Sequence, residues 1–501
     1  MAQQIHRISI QDSGFPLLSE QQPRTVIGAT SEETYDKPAK PGLYYCHNVM
    51  PTSKGLDSVG FTQVINPVAP AVNNLSDVRV VYALNRERLY IVWATTGQAY
   101  DLEEEDIAWI KLPDTIPSTI SSSFSIENVT LGTVNGVTYI WYRGVGCFVY
   151  DSSIHRFVSV TLTGLLISDI LGITASSGYL IAYTSGDIAW SSTIDPTDFI
   201  PSTITGAGGG SVAGIGGAIR FCIPNSIGFL IYSDTNIVAA TYTGNVQYPF
   251  KIREVDDSRG GISLDLVGYE YNVSSQFAFT KAGIQTITSQ KAVIVLPEVT
   301  DFLAGKKFED FDEINKIFEL TKLTVSMKKK IKFIASRYLV ISYGINSFTH
   351  ALIYDVALER LGKIKITHTD CFEYVRNQME VSRESIAFLQ SDGAVKTLNF
   401  STVDASSGIV ILGKFQYTRT RLITLLGFEI ENSKLDSLLS VSDLTSIDGK
   451  NISVIDGVLN YSAEDIKRFV FRATATNHSI LLSGKFNLVT ALLIYAIHGK
   501  R

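Results

Sequence analysis

Cysteine, methionine and proline are scarce in this chain, and acidic side chains outnumber basic ones. The four cysteines, Cys46, Cys147, Cys222 and Cys371, lie far apart. No CxxC pair exists, which excludes the usual metal and dithiol motifs and gives no disulfide framework. The remaining reading is four buried apolar thiols in a reducing compartment. Four Met and 14 Pro stand against 23 Tyr and 25 Phe, a balance that favours strands over helix bundles. A formal net charge of −6 denies the chain the basic footprint of a protein that grips nucleic acid. It fits a mildly acidic protein, or one whose wall repels DNA.

Long apolar runs are missing too. The uncharged stretch 199–219 is dominated by Gly, Ser and Thr, and 486–497 is too short for a spanning helix. The opening MAQQIHRISIQDSG has no apolar core of signal-peptide length. A soluble protein made in a cytoplasm is expected.

Catalytic and ligand motifs are equally sparse. The glycine-rich GAGGGSVAGIGG at 206–217 lacks the Lys of a phosphate-binding loop and runs into a β-like segment rather than a helix. A flexible connection is the expectation there. The seven histidines show no HxH or HExxH spacing, and no GxSxG elbow occurs. His368, Asp370 and Cys371 are close in sequence, but strand alternation would turn them to opposite faces. Lys328, Lys329, Lys330 and Lys332 could meet phosphate, without interleaved aromatics to support it. No metal and no cofactor is expected. An acidic pair of glycosidase type cannot be read from 49 scattered carboxylates, and the sialidase box Ser-x-Asp-x-Gly-x-x-Trp is absent.

What the chain does have is short strands in pairs. The stretch GYLIAYTSGDIAWSSTIDPTDF, 178–199, holds an apolar run at 179–183, a turn at 184–187, and a second run at 188–190. Similar units recur from about residue 70 to 400, several apolar on both faces, as inner strands covered on both sides must be. This periodic array predicts an all-β fold: a β-propeller of about six or seven blades over 66–402. Residues 1–65 read as an extended N-terminal arm with the first strands. Residues 403–501 read as a C-terminal β-rich domain. A helical insertion at 300–322 is predicted, because Phe308, Phe311, Ile314 and Phe318 share one helix face. It is either a cover for a blade edge or a docking element for assembly.

Several motifs carry a resemblance. Asn48-Val49-Met50-Pro51, then Gly55, then Gly60-Phe61, resembles an "NM-P…G…RPGF" phrase. Trp190-Ser191 with Asp195-Pro196 and Phe199 resembles a recurring "W-S…DP-DF" turn. Arg360 and Gly362 flank Leu361 where a Trp is usual, and His478, Gly484 and Gly499 resemble a terminal "HS…I-G…GRR". Together they resemble the tail hub or nozzle proteins of short-tailed bacteriophages, also called packaged-DNA stabilisation proteins. Ser58-Val59 replaces the usual Arg-Pro. The resemblance implies a structural, non-enzymatic virion protein, assembled in the host cytoplasm into a homo-oligomeric ring of about six subunits. Its implied partners are portal and adaptor proteins, tail fibres or spikes, and double-stranded DNA that passes through without sequence-specific binding. The ring would retain packaged DNA and take part in genome ejection. The alternatives are a glycan- or protein-binding propeller, or a propeller glycosidase.

Overall fold

A computed structural model describes residues 3–9, 25–26, 43–53, 55–67, 75–83, 86–94, 97–103, 108–112, 125–151, 153–303, 327–375, 385–401, 407–416, 422–431, 439–446, 453–462 and 466–498. Seven units of four antiparallel strands follow one another around a central channel, and they make a β-propeller. Blade 1 begins with Leu75–Ala83, blade 2 with Val129–Val134, blade 3 with Gly172–Ser176 and blade 4 with Ile219–Asn225. Blades 5, 6 and 7 begin with Val267–Gly268, Lys328–Ile334 and Asp370–Glu373. In each blade the first strand is innermost, and later strands step outward.

The second strands explain why the array is stable. Tyr179–Tyr183 and Gly228–Ser233 are buried at every residue. Leu89 to Ala94 are each 1% exposed or less. Such strands have apolar side chains on both faces because a blade lies against each face. Each fully buried side chain of this size contributes roughly 1.5–3 kcal/mol. Apolar clusters join neighbouring blades, and aromatic pairs such as Phe221 on Tyr232 within blade 4, at 4.7 Å between centroids, pack in them.

Blade 7 is completed by the strand Gly60–Ile65, which pairs with Val395–Asn399. The earliest propeller strand thus closes the last blade. Blade 6 is extended outward by Val49–Pro51, Leu56–Ser58 and Asn487–Leu488. This extension leads into a two-sheet sandwich. One sheet orders Gln3–Ser9, Thr490–Ile497, Ile423–Glu431, Ile466–Ala475 and Val458–Ser462. The other contains Gly408–Gln416, Asn477–Gly484, Ser440–Ser446 and Ser453–Asp456. Val49 and Leu56 share the sandwich core with Phe428, Phe469 and Leu482, so the two parts are joined by apolar packing as well as by strands.

Within the expected N-terminal arm, Gln3–Ser9 is an edge strand held along its length by Thr490–Ile497, and residues 10–24 and 27–42 lie outside the described residues. One expectation needs correction. The glycine-rich segment is no loose connection: Gly208–Ser211 is the outermost strand of blade 3, paired with Asp187–Trp190. Glycine is needed there because a Cβ on Gly208 would meet the Trp190 ring at 3.1 Å and one on Gly209 the Ile188 carbonyl at 2.7 Å. In the region of the expected helix, a helix spans Pro297–Leu303. Phe308, Phe311, Ile314 and Phe318 lie outside the described residues.

Candidate functional site

The seven innermost strands surround a cavity of about 570 Å³. Each presents an open backbone edge to it, so peptide N–H and C=O groups line much of the wall. Arg79, Thr130, Thr174, Lys332 and Glu373 add polar side chains.

A buried ion network stands beside this cavity. Lys330 Nζ lies 2.9 Å from Asp370 Oδ1 and 3.2 Å from Asp77 Oδ2. Asp265 Oδ1 is 3.9 Å away. Arg79 reaches Asp77 at 3.6 Å, and Lys332 lies 3.8 Å from Asp370. Lys330 is 5% exposed, Asp77 1% and Asp370 0%. Burial alone would raise the Asp77 carboxyl, but Arg79, Lys330 and Lys332 hold it well below the usual carboxylate range. Burial and the neighbouring Asp77 lift Asp370, against the pull of Lys330. Asp370 still accepts backbone hydrogen bonds from Val78 N–H at 3.0 Å and Cys371 N–H at 2.9 Å, which favour its anion. Burial opposes the Lys330 charge, and the three carboxylates raise its pKa nonetheless. Three cations face three carboxylates, so the network is neutral as a whole.

For Lys330 this overturns the phosphate-contact reading, because aspartates enclose it. Lys329 lies over the Phe279 ring at 5.4 Å, Lys332 faces the same aspartates, and Lys328 is exposed. Sequence reasoning missed the network because its members come from blades 1, 5, 6 and 7. A signal existed: Asp77 with Arg79, and Lys330 with Lys332, are charged pairs at strand spacing inside apolar runs. The network links the innermost strands of blades 1, 6 and 7. Across the seam where blade 7 meets blade 1, Trp109 Nε1 donates to the Gly393 carbonyl at 2.7 Å, and Tyr90 packs on Phe372.

The motif residues occupy structural positions. Asn48 has φ 50° and accepts Lys365 N–H at 2.9 Å, joining the sandwich approach to blade 6. Pro51 ends a short strand paired with Leu56, and a Cβ on Gly55 would enter the Leu488 backbone. Gly60 pairs with Asn399, and Phe61 sits edge-on to Phe388. Arg360 Nη1 donates to the Thr52 carbonyl at 3.2 Å, and the Gly362 backbone lies against Val49. His478 is buried, with Nδ1 2.7 Å from Asp443 and Nε2 3.1 Å from the Ile423 carbonyl. Gly484 pairs with Gly408 between sandwich strands. Gly499 lies outside the described residues.

The Trp190–Phe199 motif forms one built turn. Trp190 Nε1 donates to the Gly206 carbonyl at 2.9 Å. Ser191 Oγ accepts Leu180 N–H at 3.0 Å, and Asp195 Oδ1 accepts Thr197 N–H at 2.8 Å. Pro196 fixes the backbone after Asp195, and Phe199 is 2% exposed in the core between blades 2 and 3. The motif shapes a loop and leaves its aliphatic residues outside. Ile194 is 77% exposed and Ile204 87%; Leu166 and Tyr248 on adjacent loops are 72% each. Sequence reading passed over these four because single apolar residues in loops carry no periodicity.

Among the described residues no three His, Cys, Asp or Glu side chains converge as a metal site. His368 Nδ1 faces the Ile366 carbonyl at 2.8 Å and Nε2 the Ser342 hydroxyl at 2.7 Å, so both ring nitrogens have partners. No described helix is long and apolar enough to cross a membrane.

No protein-family model matches the sequence, and no curated protein sequence does either. Similar solved structures are propellers. One is YCF48 from Cyanidioschyzon merolae, 10% identical, covering 68% of this chain and 98% of that one, with a TM-score of 0.39. The WD40 β-propeller domain of Doa1 is 8% identical over 70% of this chain and 99% of its own, at 0.37. U3-55K is 8% identical over 68% and 98%, at 0.40.

Proposed function

We propose that this protein is a non-catalytic, protein-binding propeller that serves as a structural subunit. The observation that carries this reading is the group of exposed apolar side chains on the rim loops, Leu166, Ile194, Ile204 and Tyr248. Apolar side chains gathered on neighbouring loops mark a contact surface. The charged groups beside the channel neutralise one another, so they act as internal ties and not as a set of unpaired catalytic groups. The finer reading rests on the sequence motifs. It makes the protein a hub or nozzle subunit of a short-tailed phage virion. Its ring continues the DNA channel below the portal and adaptor, carries fibres or spikes, and retains packaged DNA until ejection. An overall negative charge suits a wall past which DNA slides.

The test is the solution mass of the full chain, alone and with a portal–adaptor complex. Ring-sized particles that bind the complex support the tail reading. A protein that ignores the complex overturns that reading and leaves a protein-binding propeller of other partners.

A further inference from the structure

Two exposed apolar surfaces stand on different sides of the subunit, and what joins them deepens the assembly reading, on which it rests. The first surface spans blades 2, 3 and 4. Thr163 N–H donates to the Thr197 carbonyl at 2.8 Å, and Phe199 N–H to the Thr163 carbonyl at 2.9 Å, which ties loop 161–171 to loop 191–207. Gly206 abuts Val246 of loop 243–249, where a Cβ would meet Val246 Cγ1 at 2.7 Å. The three joined loops present Leu166, Ile194, Ile204 and Tyr248. They contain Asp169, Asp195 and Asp198 and no Lys or Arg. Beside them runs the outermost strand of blade 3, Gly208–Ser211, with residues 209–211 exposed. Packing explains the glycines at 208 and 209. It does not explain Gly210, whose Cβ would meet nothing within 4 Å. A strand edge without side chains lets another backbone approach closely.

The second surface is the sandwich rim, 453–462. Here Ser453–Asp456 edges one sheet and Val458–Ser462 the other. Val458 is 70% exposed, Tyr461 54%, Val454 48% and Leu459 47%. Exposed edges are normally blunted with Lys or Pro. This rim has neither, and Asp456 is its one charge. Arg472 stands exposed on the neighbouring strand Ile466–Ala475, opposite in sign to the loop aspartates. The sandwich is attached to blade 6, and blade 3 is three blades away around a ring of seven.

We propose that the Val458–Ser462 edge of one copy docks on the Gly208–Ser211 edge and flanking loops of a second copy, and that repetition closes a ring. The surfaces differ from each other, so the contact is heterologous. Their separation lets each copy use both at once, the condition for cyclic growth. Backbone pairing at the open edges sets the register, as when a strand is added to a sheet.

The test uses two full-length variants, Gly210→Lys and Val458→Asp. Both positions are open to solvent, so circular dichroism and melting should match the wild type. Each variant alone should lose the ring mass and run as a monomer. An equimolar mixture should give dimers, because each supplies the surface the other has lost. A ring that survives either change overturns the proposal. So does a mixture that stays monomeric, or a Val458→Asp effect with none from Gly210→Lys, which would mean a symmetric edge-to-edge dimer. If wild-type protein binds the portal–adaptor complex but never self-associates, this interface fails while the tail reading stands. Rings lost in both variants and dimers formed in the mixture, with a wild-type ring indifferent to the complex, keep the interface and sink the tail reading.

Discussion

Replacing Lys330 with Met removes the cation that lies nearer to both buried aspartates than Lys332 does. Its Nζ lies 2.9 Å from Asp370 and 3.2 Å from Asp77. At an effective dielectric constant of about 20, each contact is worth roughly 5 kcal/mol of attraction. Several kcal/mol of that is offset by desolvating the ammonium. Repulsion from Arg79 and Lys332 takes more. The Met variant also leaves two carboxylates buried beside each other, so the net loss should be about 3–5 kcal/mol, as for other buried pairs that lose one partner. The sign of its pH dependence follows. Without Lys330 the folded-state pKa values of Asp77 and Asp370 rise above their wild-type values, while the unfolded values do not change. A carboxyl with a raised folded pKa costs stability as pH rises through it. The penalty should therefore shrink toward pH 5 and grow toward pH 8. The assay is urea denaturation followed by tryptophan fluorescence. All four tryptophans, Trp93, Trp109, Trp141 and Trp190, lie in blades 1 to 3, so the signal reports the propeller. A loss below about 1 kcal/mol, the range of an exposed ion pair, or a penalty that does not vary with pH, would refute the account of the network.

The thiols and histidines give two further tests. Burial pushes Cys46, Cys147 and Cys371 up to about 12, and Cys222 well above its ordinary value. Native protein at pH 8 should leave a thiol reagent unreacted, and all four cysteines should titrate on unfolding; fast native labelling would contradict their burial. Near the junction with the sandwich, burial and nearby Lys363 lower His350 to about 3 and His47 to about 4. Groups depressed in the fold bind protons more readily when unfolded, so stability should fall as pH drops from about 6.5 toward 4. His350→Gln should flatten that fall in the pH dependence of the melting temperature, and an unchanged slope would mean that His350 takes no part in it.

The repeated hairpins were legible because their cause is local. Tyr179–Tyr183 and Ile188–Trp190 are apolar runs split by a turn, and the structure pairs them in one blade. The pairing partners of Gly60–Ile65 and Gln3–Ser9 were not legible, since they lie hundreds of residues downstream. Gly208–Ser211 misled for a different reason: its glycines answer to the Trp190 ring and the Ile188 carbonyl, and a glycine run has no strand propensity of its own. The ion network is the extreme case. Lys330 looks like part of a solvated basic run until Asp77 and Asp370 arrive from two other blades. The rim residues Val458 and Tyr461 could be placed near the C-terminus, but not on an open edge, because edges belong to the assembled sheet.

The closure of blade 7 by Gly60–Ile65 also sets a clock for synthesis. Blades 1 to 6 take their four core strands from consecutive chain, so each can fold as it leaves the ribosome. The strand at 60–65 cannot: its partner at 395–399 is made tens of seconds later at roughly 5–20 residues per second. Gln3–Ser9 waits longer still, for Thr490–Ile497. The earliest described segment thus stays unpaired until residues 490–497 have been made. Those last pairings complete blade 7 and the edge of one sandwich sheet. Neither closes until two distant stretches of the chain have met.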